Sequence, residues 1–168
     1  MRLAVGDIVV YGSHGAGPVA ARVQRVVLGT AQDVIVLALA GGLRVELPLE
    51  RARERLRPLA TELDMTRVKE TLGTGRQGGD DTWLKRQKAA VAKLTAGDPI
   101  GLAEIIRDST RHERRMQSTK SAGSMLSPGE RELLTHARRL LSTEIALLRG
   151  IEPEEADAWI DRQLERAA

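Results

Sequence analysis

Cysteine and phenylalanine are missing altogether from these 168 residues, and the remaining aromatics are one tyrosine and two tryptophans. Without cysteine there is no disulfide framework, no thiolate metal site and no cysteine nucleophile, a composition that suits a reducing cytosol. No apolar run approaches the roughly 20 residues that a membrane-spanning helix needs. The opening residues, Met1-Arg-Leu-Ala-Val-Gly-Asp7, lack the hydrophobic stretch of a secretory signal. Histidine is scarce, and His14, His112 and His136 fall in different segments with no metal-ligand spacing. A cytoplasmic chain with no metal or cofactor is expected, long enough for one ordinary domain or two small ones.

One sign of charge is also missing locally. No acidic residue occurs between Thr82 and Gly97, a stretch that holds Lys85, Arg86, Lys88 and Lys93. The formal net charge is only +3, but residues 1–60 carry 8 basic and 5 acidic side chains, residues 61–120 carry 12 and 9, and residues 121–168 carry 6 and 9. The basic middle can track phosphates, while the small surplus implies weak affinity in free solution and delivery by a protein partner. Nothing in the chain argues for an enzyme. Carboxylates are scattered, with no acid–base pair. Gly73-Thr-Gly-Arg-Gln-Gly78 formally fits a dinucleotide fingerprint, but a helical stretch precedes it where a strand is required. It reads as a flexible connector.

What is present divides in two. Up to residue 50 the chain reads as short strands: Asp7–Tyr11, Val19–Leu28, the continuous apolar run Val34–Leu39, and the alternating Leu43–Leu47 closed by Pro48. Period-2 alternation sends Arg44 and Glu46 to one face of the last strand and Leu43, Val45 and Leu47 to the other. Arg51, Arg53, Arg55 and Arg57 read as a solvated connecting segment. Beyond residue 60 the texture is helical. Thr61 and Asp64 form a variant capping box, Thr82 can cap a helix starting at Trp83, and Asp98-Pro99 opens another reaching towards Arg115. Met116–Met125 reads as a flexible loop, and Ser127-Pro-Gly-Glu130 caps a long helix with an apolar stripe from Leu133 to Leu148. Glu152-Pro153 begins a last amphipathic helix in which Trp159 packs inward. The fold class expected is α+β: a small SH3- or Tudor-like β-barrel over residues 1–55, then an all-α bundle over residues 61–168.

Trp83 is the residue on which function turns. Leu84, Val91 and Leu94 share the stripe expected to face the bundle, which leaves Trp83 at its margin, in the first helical position. Helical side chains lean towards the N-terminus, so the ring can project past the helix end. A flat ring there, beside cations, suits a wedge or stacking platform against nucleic acid. The competing reading is that Trp83 plugs a core and the chain is a protein–protein adaptor, or, more remotely, an RNA-associated barrel protein. Burial of the indole discriminates.

Val5-Gly-Asp-Ile-Val-Val-Tyr11 with His14-Gly15, Val45-Glu-Leu-Pro48, Trp83-Leu-Lys-Arg-Gln-Lys88, Lys93-Leu-Thr-Ala-Gly-Asp98 and Leu126-Ser-Pro-Gly-Glu-Arg131 followed by Ala137-Arg-Arg-Leu-Leu141 together resemble the CarD (CdnL) family of bacterial transcription regulators, over nearly the whole chain. The resemblance implies an N-terminal Tudor-like domain that docks on the β subunit of RNA polymerase. It also implies a C-terminal helical domain on promoter DNA at the upstream edge of the bubble, with Trp83 wedged in the minor groove to stabilise the open complex. By position, Lys85, Lys88 and Arg131 become phosphate contacts, with Arg86 and Lys93 completing the basic helix. Arg25 matches a polymerase-contacting arginine, whereas Glu46 stands where a second would fall, and Arg44 on the same face can partly substitute. The loop before Ser127 is longer than the family pattern. A monomer acting with little base specificity is expected.

Overall fold

The computed structural model describes residues 3–74, 82–118 and 125–166. It divides into two compact units, residues 1–59 and 60–168.

The first unit is a five-stranded antiparallel sheet in the order β4-β3-β2-β1-β5, built from β1 (Ile8–Val10), β2 (Ala16–Val27), β3 (Thr30–Ala38), β4 (Arg44–Pro48) and β5 (Arg57–Pro58). The apolar run Val34–Leu37 is buried throughout, because β3 is a central strand between β2 and β4. β2 pairs with β1 through Ala16–Pro18 and with β3 from Val19 on, and an irregularity between Val19 and Ala21 bends it from one partner to the other. Leu28 (φ 51°) and Gly29 (φ 79°) form the tight hairpin between β2 and β3, both in the left-handed region that a two-residue turn of this twist demands.

Two expectations need correction. The sheet is open and not a closed barrel: among the described residues β4 and β5 do not pair. β4 passes directly into helix α1 (Leu49–Arg55), and β5 is two residues long and ends in a proline that has no N–H to give. The arginine-rich connector is likewise mostly that helix, because Leu49, Ala52 and Leu56 recur at helical spacing and close over Val9, Val19, Ile35 and Leu37.

The second unit packs α2 (Glu62–Gly73), α3 (Trp83–Ala96), α4 (Pro99–Ser118), α5 (Pro128–Arg149) and α6 (Pro153–Glu165) around Met65, Leu72, Leu102, Ile106, Leu141, Ile145 and Ile160. The capping boxes at Thr61–Asp64 and Ser127–Glu130 both form, and the Asp98 carboxylate accepts from the Gly101 N–H at 2.9 Å. α4 runs to Ser118, three residues into the segment read as a loop; the rest of that segment up to residue 124, and residues 75–81 of the glycine-rich connector, lie outside the described residues. Trp159 packs against the core and carries the Arg149 guanidinium over its ring at 4.8 Å.

Candidate nucleic-acid interface

α3 is held to the bundle more lightly than its neighbours. The face expected to pack is not the one that does: Leu84 is 69% exposed and Val91 46%. Gln87, Ala90 and Leu94 are the residues turned inward, and Lys93 pairs with Glu104 of α4 at 2.8 Å. The reason is tertiary. α3 and α4 form a hairpin through Gly97, whose left-handed conformation (φ 65°) ends α3. The side chain of Lys93 lies against Gly101, and Gln87 lies beside Gly129 at the start of α5. Those close approaches rotate the helix so that Leu84, Lys88 and Val91 share an outward face.

Trp83 sits on the inward side of that rotation but at the first residue of the helix, beyond the end of the packed stripe, and is 50% exposed. Its own helix supplies basic side chains and no acidic one. Thr82 occupies the N-cap position but its hydroxyl makes no capping hydrogen bond, and no acidic residue stands in the first turn. Within the helix's own first turn, therefore, no carboxylate offsets the positive end of the helix dipole. At 100° per residue Lys88 lies about 140° round the helix from Trp83, so the cations flank the ring and do not surround it. Lys85 and Lys88 are exposed and make no ion pair among the described residues, and Arg86 is exposed beside them. Lys93 is engaged with Glu104, which makes it a strut between helices. Arg131 is exposed on the first turns of α5, next to the cap.

That cap is where Trp83 meets the rest of the bundle. Glu130 accepts hydrogen bonds from the Ser127 N–H (2.9 Å) and hydroxyl (2.7 Å). Burial on its own would raise the Glu130 carboxyl; the Ser127 hydroxyl and backbone N–H outweigh it, and His112 of α4 and the Trp83 side chain add to them, so the group is held below the usual glutamate value. One carboxylate thus joins the starts of α3 and α5 to the later turns of α4. His112 is half-buried in this junction.

In the first unit, Arg25 on β2 and Glu46 on β4 reach across β3 to each other at 3.4–3.5 Å, both half-exposed. Only the register reveals this pair, because β2 and β4 are not neighbours in the sheet. Arg44 is exposed on β4, the strand at the sheet edge. Among the described residues no three potential ligands converge on a metal position, and no helix is long and apolar enough to cross a membrane.

Comparison with known proteins returns two family matches that together cover both units. The model described as "CarD-like/TRCF RID domain" matches residues 3–60, and the one described as "CarD, C-terminal domain" matches residues 67–161. The chain is also 25% identical, over 157 residues, to a protein of Bacillus subtilis (strain 168) named "Putative transcription factor YdeB"; the match spans 92% of this chain and 97% of that one.

Proposed function

This chain belongs to the CarD family, a family of transcription factors and not of enzymes, and from that premise we propose that it binds the β subunit of RNA polymerase through its sheet and promoter DNA through its helical unit, stabilising the open complex. The observation that carries the DNA half is the half-exposed Trp83 indole at the first residue of α3, a helix with basic side chains and no acidic one in its first turn. A ring in that position can stack on an unstacked base step at the edge of melted DNA, and Lys85, Lys88 and Arg131 reach phosphates around it. Such contacts carry little sequence information, so action at many promoters follows. No catalysis is involved: a factor that binds the melted state better than the closed one shifts the equilibrium by that difference. Docking on polymerase supplies the effective concentration that a net charge of +3 does not. In this reading the protein acts as a monomer, with the nucleoid, through polymerase.

Trp83→Ala is expected to shorten open-complex lifetime by about 5- to 150-fold, the equivalent of roughly 1–3 kcal/mol of lost stacking, while leaving polymerase binding intact. An unchanged lifetime with normal polymerase binding sinks the DNA assignment. The exposed Leu84 and Val91 favour a second reading, in which α3 packs against a protein. Loss of function in Leu84→Ser with Val91→Ser, but not in Trp83→Ala, would install it.

The polymerase half turns on Glu46. Its ion pair with Arg25 is half-exposed, so it adds at most about 1 kcal/mol to stability, yet it occupies the arginine that would otherwise meet the partner. Glu46→Arg frees Arg25 and adds a second cation, and retention of the chain on immobilised polymerase is expected to rise. Falling retention would show that Glu46 itself meets a cation on the β subunit.

A further inference from the structure

Arg107, Arg111, Arg114 and Arg115 recur on α4 at intervals of four, three and one, which puts them within about 100° of one another round the helix. They are not equivalent. Arg107 is nearly buried and structural: its Nε donates to Asp108 at 2.7 Å, and an Nη donates to the Thr71 carbonyl of α2 at 3.4 Å. Arg111 is half-buried, and Arg114 and Arg115 are exposed. Burial first, then the charge of Arg107, with lesser contributions from Arg114 and Arg115, lowers the Arg111 guanidinium below its ordinary value against the opposing pull of Asp108. The cations are close enough to repel one another, so an anion brought among them gains from all at once.

Their position relative to Trp83 follows from the hairpin. Lys93 and Glu104 fix where α3 and α4 cross. Trp83 lies ten residues before the first and Arg114 ten residues after the second, each about 15 Å along its helix, and antiparallel helices bring both to one end of the bundle. The Glu130 carboxylate, which feels both Trp83 and His112, marks the same end. The alternative ligand, an acidic segment of a protein, has no such continuity with a neighbouring site.

Resting on the DNA-binding reading above, we infer that Arg114 and Arg115, backed by Arg111, form a second phosphate-binding surface that grips the duplex backbone flanking the step where Trp83 stacks. The cluster positions the duplex and carries no base preference.

The test uses the full chain, fluorescently labelled and titrated onto RNA polymerase holoenzyme alone and onto its preformed open promoter complex, at several salt concentrations. Arg114→Gln with Arg115→Gln removes two exposed charges, and thermal melting checks that the fold is kept. The variant is expected to bind polymerase alone like the parent. On the promoter complex its salt dependence should flatten by about two contacts, so that the affinity lost between roughly 50 and 200 mM salt is about tenfold less than for the parent. Arg114→Lys with Arg115→Lys should keep the parent slope. If the parent gains affinity from promoter DNA and the glutamine variant keeps both gain and slope, the second surface is refuted while the Trp83 reading stands. If the parent gains nothing from promoter DNA, both readings fail. Loss of binding to a polyglutamate peptide with an unchanged DNA slope would assign the cluster to an acidic protein and overturn the inference.

Discussion

Gly17→Ala is expected to unfold most of the first unit, because the added methyl group has nowhere to go. A Cβ at residue 17 of β2 would stand 2.1 Å from the Ala38 carbonyl oxygen and 2.9 Å from the Leu39 Cα. Both are backbone atoms where β3 ends, and neither can move aside as a side-chain tip could. The constraint is one of space. Overpacking of side chains costs about 1–3 kcal/mol, and a clash against backbone belongs at or above the top of that range. A unit of 59 residues has little stability in reserve. Urea denaturation of the full chain should show an early loss of sheet signal, and the variant should no longer be retained on polymerase even with Arg25 and Arg44 intact. A parent-like transition would mean that the end of β3 can yield.

The second large effect belongs to Glu144. Only 2% exposed in the middle of α5, it accepts the Ala60 N–H at 2.8 Å. Ala60 opens the helical unit and stands immediately before the Thr61 cap, so this bond sets where the chain enters the bundle; Arg149, bonded to Glu62 at 3.0–3.1 Å, holds the next turn. Glu144→Ala leaves a buried donor without its partner and opens space beside Leu141 and Ile145. The expected loss is about 3 kcal/mol, from the orphaned N–H and the cavity together. Glu144→Gln keeps a side-chain oxygen for the Ala60 N–H and should lose less than Glu144→Ala. The check is the urea midpoint of each variant at constant slope. Equal midpoints for Ala and Gln would show that the bond to Ala60 contributes little.

Several elements were legible because their causes are local. Thr61 with Asp64 and Ser127 with Glu130 needed only a three-residue spacing, and both capping boxes are in place. Val34–Leu37 announced a strand covered on both faces. Leu49, Ala52 and Leu56 also carried a helical signal, masked by four alternating arginines; reading the apolar spacing before the charges would have found α1. The inward face of α3 was not legible in the same way. A stripe of Leu84, Val91 and Leu94 is as good a helical pattern as the one that packs, and helix periodicity does not choose between faces when the core needs only one leucine.

By itself, then, the order of residues determined the strand-rich first part, the starts of the five helices of the second unit, and the rarity of aromatics that singled out Trp83, since each depends on neighbours within a turn or two. The tertiary structure alone decided that Arg25 and Glu46 meet across a strand, that Lys93 braces α4, and that Glu130 meets both Trp83 and His112. Those are contacts between residues far apart in the chain, set by strand register and by how two helices cross, and neither quantity is encoded in any short window of sequence.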